Sequence, residues 1–237
     1  MSKGTLYLVP SVLGDTLPAL TLPAGTTKVI FRLNVFIAEE SSTARRFLRK
    51  AGYTKDFSTV GISVFNEHSE RKDLMPYLEP ALHGEDIGLL SEAGVPCVAD
   101  PGFEIVELAH QMGIRVRPLT GPSSIILALM ASGFNGQNFA FHGYLPIDKS
   151  ERARKIREIE RISREKGQTQ IFIETPYRNC QMLSALAESC HGTTHICIAV
   201  DLTLESEEIV VRDASDWKGE NREFHKRPAV FLMSVRK

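Results

Sequence analysis

The chain is 237 residues long, 43% hydrophobic and 24% charged, with a formal net charge of −1. These proportions describe a globular chain long enough for two modest cores, and they exclude a chain-wide basic field, so any contact with nucleic acid has to rest on a local patch. No apolar run approaches the roughly 20 residues of a membrane span.

Pro10, Asp15 and Pro18 interrupt the apolar run Leu6 to Val9 before it can act as a signal peptide. Cys97, Cys180, Cys190 and Cys197 form no C-x-x-C pair, so reduced thiols, a cytoplasmic location and no metal site are expected. Walker, H-E-x-x-H and G-x-S-x-G motifs are all missing from the sequence.

Thr5–Val9 reads as a first buried strand, followed by the turn Pro10–Asp15. Val35–Ala38 is a second, ending in Glu39-Glu40 just before Ser41-Ser42-Thr43 and a basic amphipathic helix, Ala44–Lys50, that stops at Gly52. The acidic pair has two readings that stay open here: ligand contact, or charge placed at the positive end of a helix dipole. Ile62–Phe65 is another strand and leads into Asn66–Glu70, where His68 is a candidate base or a structural histidine.

The most informative stretch runs from Asp86 to Ser132. The short strand Ile87–Leu90 passes into a long loop punctuated by Gly94, Pro96, Pro101 and Gly102, with acids at Glu92 and Asp100. A helix from Ile105 to Met112 ends at Gly113, and Ile114, Val116 and Leu119 alternate as a strand. Thr120-Gly121-Pro122 turns the chain, and Ser123-Ser124 introduces an apolar helix up to Ala131. Parallel strands joined by crossover helices share their carboxyl ends, and ligands of open α/β sheets bind in the crevice there. A loop this long between short elements is uncommon unless it is functional.

Composition changes after Ser132. Phe139–Pro146 is aromatic and strand-like, and Lys149–Lys166 is a charged helix with one narrow stripe of Ile156, Ile159 and Ile162. Its bases, Arg152 and Arg154 among them, outnumber its acids, which suits either phosphate tracking or a solvated helix laced with ion pairs. Gln170–Ile173 is a strand ending in Glu174-Thr175-Pro176-Tyr177-Arg178, and Met182, Leu183, Leu186 and Ala187 mark a helix. His195–Val200, Glu208–Val211 and Ala229–Met233 are the last strands. The expected organisation is two α/β domains, 1–118 and 119–237.

The ordered set Ser91-Glu92-Ala93-Gly94-Val95-Pro96, Ala99-Asp100-Pro101-Gly102, Gly113–Val116 and Gly121-Pro122-Ser123 resembles the tetrapyrrole methylase superfamily. Leu6–Val9, Gly14, Ala38-Glu39, Glu67-His68, Gly143–Pro146 and Glu174–Arg178 extend that resemblance to the branch methylating a cytidine ribose 2′-oxygen in small-subunit ribosomal RNA. The resemblance implies S-adenosylmethionine as methyl donor, held in a cleft between the two α/β domains, and a homodimer.

By the same resemblance, Ser91, Glu92, Ala93, Gly94, Val95, Pro96 and Asp100, with Gly121, Pro122, Ser123 and Ser124, are cofactor-binding. Glu39, Glu40 and His68 are candidate bases for the ribose hydroxyl, and Arg152, Arg154, Glu174 and Arg178 are candidate substrate contacts. The chain departs from the branch pattern mainly on its polar side. An A-T-P-I-G-N loop is Pro10-Ser11-Val12-Leu13-Gly14-Asp15, and E-D-T-R-H-T is Glu39-Glu40-Ser41-Ser42-Thr43-Ala44. Methylation of a small molecule such as a tetrapyrrole, or binding of S-adenosylmethionine or RNA without catalysis, are the rival functions; no role at a membrane is expected.

Overall fold

A computed structural model describes residues 2–70, 73–219 and 224–236. It divides the chain into two units, Met1–Ser123 and Ser124–Lys237. The turn Thr120-Gly121-Pro122 therefore belongs to the first unit, beyond the boundary expected at Pro118, because it is tied down there. Leu119 N donates to Leu8 O at 3.0 Å, and Thr26 Oγ1 donates to Thr120 O at 2.7 Å.

The first unit is one parallel sheet in the order β3-β2-β4-β1-β5, built from β1 (Thr5–Val9), β2 (Val35–Ala38), β3 (Gly61–Val64), β4 (Ile87–Leu90) and β5 (Arg115–Pro118). All four ladders are parallel. Alternation along the strands sends side chains to both faces, and both are covered. Tyr7, Val9, Phe36 and Leu90 join Val29, Ile30, Ala44 and Leu48 of α2 (Ala24–Arg32) and α3 (Ser41–Lys50) on one side. Leu6, Ile37 and Leu89 join Leu78, Ala81, Ile105 and Ala109 of α4 (Met75–Leu82) and α5 (Phe103–Gln111) on the other. Burial on both faces explains why the central strands are almost purely apolar.

The second unit holds α6 (Ser124–Ser132) and a mixed sheet in the order β6-β7-β10-β8-β9. Its strands are β6 (Phe139–Tyr144), β7 (Thr169–Ile173), β8 (His195–Val200), β9 (Glu208–Asp213) and β10 (Ala229–Ser234). Only β6 and β7 run parallel; the other ladders are antiparallel. Phe172, Ile196, Ile198, Phe231 and Met233 bury one face under α7 (Lys149–Lys166) and α8 (Asn179–Ser189). The opposite face of β8 and β10 packs against α6.

The strands of the described residues fall where alternation and apolar runs place them. The short α1 (Pro18–Thr21), α2 and α4 carry no such signature, since α2 contains Gly25, Thr26 and Thr27 and α4 contains Pro76 and Pro80. These helices exist because tertiary packing outweighs propensity: Ile30, Leu78 and Ala81 are fully buried.

Gly121 shows how tightly the carboxyl-end loops fit. A Cβ there would lie 2.3 Å and 2.4 Å from the Pro10 ring carbons, both backbone-anchored and unable to swing away. Gly121→Ala is expected to lower the unfolding free energy by about 1–3 kcal/mol, measured by chemical denaturation; an unchanged midpoint would show that the loops have room to separate.

Candidate functional site

Because all five strands of the first sheet are parallel, the loops after β1, β2, β3, β4 and β5 gather at one edge. Three of them interlock. Ser11 N donates to Gly94 O at 2.8 Å and Ser91 Oγ donates to the same carbonyl at 2.6 Å, pinning the loop after β4 to the loop after β1. Gly94 has φ +74°, and a Cβ on it would meet Leu13 Cδ2 at 3.0 Å and Pro122 O at 3.3 Å, so only glycine fits between the neighbouring loops. Cys97 and Ala99 are also left-handed, at φ 68° and 57°. Each such non-glycine residue costs about 1 kcal/mol or more and is held by its surroundings.

Beside this floor lies a cavity of about 410 Å³ lined by Ser11–Asp15, Ala38, Thr43, Ala44, Arg46, Phe47, Lys50 and Leu90–Ala93. Its size suits a nucleoside-scale ligand. Ser11 Oγ, on a residue 3% exposed, has no hydrogen-bond partner among the described residues. A buried hydroxyl left unpaired costs about 1–3 kcal/mol, which a polar ligand in the cavity would offset. Arg46 and Lys50 bring positive charge to the same wall, with Lys50 paired to Asp15.

A carboxylate cluster stands at the same carboxyl edge, and one of its members, Glu92, lines the cavity. Glu39, half-buried at the end of β2, is pushed up to about 7, first by burial and then by the negative charges of Asp100, Glu92 and Glu67. Protonated Glu39 donates to Asp100, whose own carboxyl is raised by burial and held back by the N–H groups of Gly102 and Cys97; Gly102 N donates to Asp100 Oδ1 at 2.7 Å. Glu92 accepts from Thr43 Oγ1 at 2.6 Å. Among the described residues no group of three or more His, Cys, Asp or Glu side chains is disposed to hold a metal ion. The cluster offers a proton acceptor near neutrality and a negative surface toward a cationic ligand.

The structure separates the other expected residues. Glu40 is exposed and caps α3, accepting from Ser42 N at 3.2 Å and Ser42 Oγ at 2.9 Å, so the helix-start reading describes it while Glu39 alone turns to the acidic cluster. His68 is exposed and lies 3.5 Å from the equally exposed Glu67. Ser91, Glu92 and Ala93 line the cavity, Gly94 and Pro96 are buried in the floor, Val95 is half-buried, and Pro122 is buried next to the half-buried Ser123. Ser124 opens α6 in the second unit.

In the second unit, Arg152 points inward: it is 7% exposed and its Nη1 donates to Ile147 O at 2.9 Å, whereas Arg154 is exposed and 3.9 Å from Glu151. The two share no surface. Both lie on the basic helix, but Arg152 stands four and seven residues before Ile156 and Ile159, on the side of the apolar stripe, while Arg154 does not. Glu174, with 1% of its side chain exposed, takes Arg178 Nη2 at 2.6 Å and Nε at 3.0 Å. Ser11 and Thr43 stand in the two loops set against the branch pattern, and Arg46 and Lys50 on the basic helix after β2; the structure brings all four to the cavity wall.

A parallel sheet covered on both faces, with a glycine- and proline-rich floor at its carboxyl edge, defines an α/β enzyme that binds a small ligand there. The family model of the Tetrapyrrole (Corrin/Porphyrin) Methylases matches residues 16–217, and the chain belongs to that family of methyltransferases. Among relatives, the Ribosomal RNA small subunit methyltransferase I of Vibrio cholerae is 32% identical over 205 residues, covering 86% of this chain and 67% of that one. Its namesake in Bacillus subtilis is 32% identical over 222 residues, 92% and 72% of the two chains. The fold is shared with the methyltransferase CobJ, at TM-score 0.66 and 16% identity over 99% of this chain and 96% of that one. It is shared also with uroporphyrin III C-methyl transferase from Thermus thermophilus, at TM-score 0.58 and 17% identity over 98% and 97%.

Glu39 gives a test independent of any ligand. Its folded pKa lies above its ordinary 4.5, so the fold favours the protonated form. That contribution to stability is complete below about 4.5 and is lost as pH rises through about 7. Glu39→Gln, which cannot ionise, is expected to gain thermal stability relative to wild type between mildly acidic and mildly alkaline buffer. Parallel melting curves across that range would refute the shift.

Proposed function

We propose that the protein transfers a methyl group from S-adenosylmethionine to a ribose 2′-oxygen of ribosomal RNA, with Glu39 as proton acceptor. The observation that carries this reading is the Glu39–Asp100 carboxyl pair, with Glu39 following Ala38 of the cavity wall and feeling the charge of Glu92, which lines that nucleoside-sized cavity. The named relatives supply the substrate class. S-adenosylmethionine supplies, when bound, a methyl carbon on a positively charged sulfur.

The residues present fit such a group. The unpartnered Ser11 hydroxyl, the tight Gly94 and Gly121 loops and the four carboxylates suit a polar, cationic ligand. Ser91–Pro96 with Asp100, and Gly121–Ser124, are the loops assigned to hold it. Ionised Glu39 accepts the proton of the ribose hydroxyl as the oxygen gains its methyl, and Asp100 shares that proton through their mutual hydrogen bond. Arg46 and Lys50 take the flanking phosphate, and the strained loop fixes the alignment on which an in-line displacement depends.

Exposed Arg154 and Arg161 on α7 are held by surface ion pairs worth about 0.2–0.5 kcal/mol each, weak enough for phosphates to displace, and exposed Arg164 lies 3.9 Å from the buried Glu160. Arg152, buried, positions α7 rather than touching RNA. Among the described residues no helix is long and apolar enough to cross a membrane. We read the protein as a cytoplasmic homodimer, for which Ile126 and Met130, exposed one turn apart on α6, offer apolar surface.

Calorimetric titration is expected to give saturable binding of S-adenosylmethionine and S-adenosylhomocysteine but not NAD. Incubation of small-subunit RNA with radiolabelled methyl donor is expected to give label that resists alkaline cleavage, since a 2′-O-methyl group blocks the neighbouring phosphodiester. Label on tetrapyrroles alone, or on bases, would overturn the assignment. Glu39→Gln is expected to lower kcat by about 10²–10⁴, and the wild-type rate to rise with pH through about 7 as the carboxyl ionises. A pH profile flat through that region would remove Glu39 from the role.

A further inference from the structure

The loops at one end of the second sheet carry a concentration of features that the reading above leaves unused. Antiparallel pairing of β10 with β7 and β8 brings Glu174–Arg178, Asp201–Thr203 and Phe224–Pro228 to the same end. Among the described residues, three of the five non-glycine residues with positive φ are here: Asp201 at 51°, Thr203 at 74° and Lys226 at 63°. So are three buried polar atoms without a hydrogen-bond partner among the described residues, Glu174 Oε2, Asn179 Oδ1 and Thr203 Oγ1. Strain and unpaired polar atoms are costly, and they gather where a ligand is to be met.

Tyr177 stands out of this end, 67% exposed. Its backbone is fixed: it is the centre of a single 3₁₀ turn, Pro176–Arg178, clamped by the buried Glu174–Arg178 pair, and Lys226 N donates to Pro176 O at 2.9 Å. Asn179 Nδ2 holds the facing loop through Phe224 O at 3.1 Å and Arg227 O at 2.6 Å, and Arg227 Nε donates to Asp201 Oδ2 at 2.8 Å. The phenol ring meets His225 edge-on, at a centroid distance of 5.8 Å and 75°, and Lys226 Nζ sits 5.9 Å from its centroid. A rigid ring, braced at its edge and flanked by a cation yet mostly open to solvent, is the arrangement that stacks a nucleobase while the cation meets its phosphate.

We propose that Tyr177, braced by His225 and accompanied by Lys226, is a stacking platform for one unpaired base of the RNA substrate; the inference rests on the ribosomal RNA reading above. An apolar protein partner would gain little from a ring with a lysine and a histidine against it, whereas a nucleotide uses the ring face and both polar neighbours.

The test measures fluorescence anisotropy of the full chain with an unstructured adenine-rich oligoribonucleotide, and quenching of 2-aminopurine placed within it. Tyr177→Ala is expected to weaken binding about 5- to 100-fold and to relieve the quenching. Tyr177→Phe is expected to keep both, and Tyr177→Leu, equally apolar but not aromatic, to lose both. Lys226→Gln should lower the slope of log affinity against log salt by about 0.7. Wild-type affinity and quenching in Tyr177→Ala, with methyl transfer to small-subunit RNA intact, would overturn the platform and leave the function standing. Failure of the wild-type chain both to bind RNA and to methylate it would overturn the function and the platform together.

Discussion

The carbonyl of Gly94, held from within its own loop by Ser91 Oγ, accepts from Ser11 N, and through that bond the loops after β1 and β4 become one surface. Every loop at the carboxyl edge has to find partners for its backbone groups away from regular structure. Here they find them in each other, at distances that leave no room for a side chain on Gly94 or Gly121. Without that interlock the cavity beside Ser11 and the strained turn through Cys97 and Ala99 would have no fixed wall, and Glu39 and Asp100 would not be held in register. The sheet makes the interlock obligatory, because parallel strands deliver their loops to a single edge.

Charge is handled in two contrasting ways. In the second unit two half-buried arginines are matched with buried carboxylates: Arg178 with Glu174 and Arg227 with Asp201. Removing one member of a buried pair costs about 3–5 kcal/mol, which identifies such pairs as scaffolding. At the edge of the first sheet like charges are gathered instead, and burial together with the negative charges of Asp100, Glu92 and Glu67 raises the cost of ionising Glu39. Such an arrangement works against folding at neutral pH and supplies a carboxyl that exchanges its proton there, which is chemistry rather than architecture.

The fold is shared with tetrapyrrole methyltransferases at 16% and 17% identity, a level at which the core pattern persists and little else does. Function lies in what the edge loops carry. In this chain the cavity wall carries Arg46 and Lys50 of α3, and the second unit an exposed, braced Tyr177, features that suit a nucleotide with its phosphate.

Much of this was determined by the sequence. Alternating and continuous apolar runs placed the strands of the described residues, because a pleated ribbon has period two and a doubly covered sheet needs apolar residues on both faces. The order of the glycine and proline motifs fixed the family resemblance, since those residues answer to local backbone geometry that any reader of the chain can infer. What tertiary structure alone decided was the facing of side chains and the meeting of distant loops. Two adjacent glutamates, Glu39 and Glu40, are equivalent in sequence, yet strand direction turns one into the acidic cluster and leaves the other as a helix cap. α2 and α4 form against their own propensities because Ile30, Leu78 and Ala81 find apolar partners far along the chain. Such outcomes depend on distances between residues that are remote in sequence, and no local pattern encodes them.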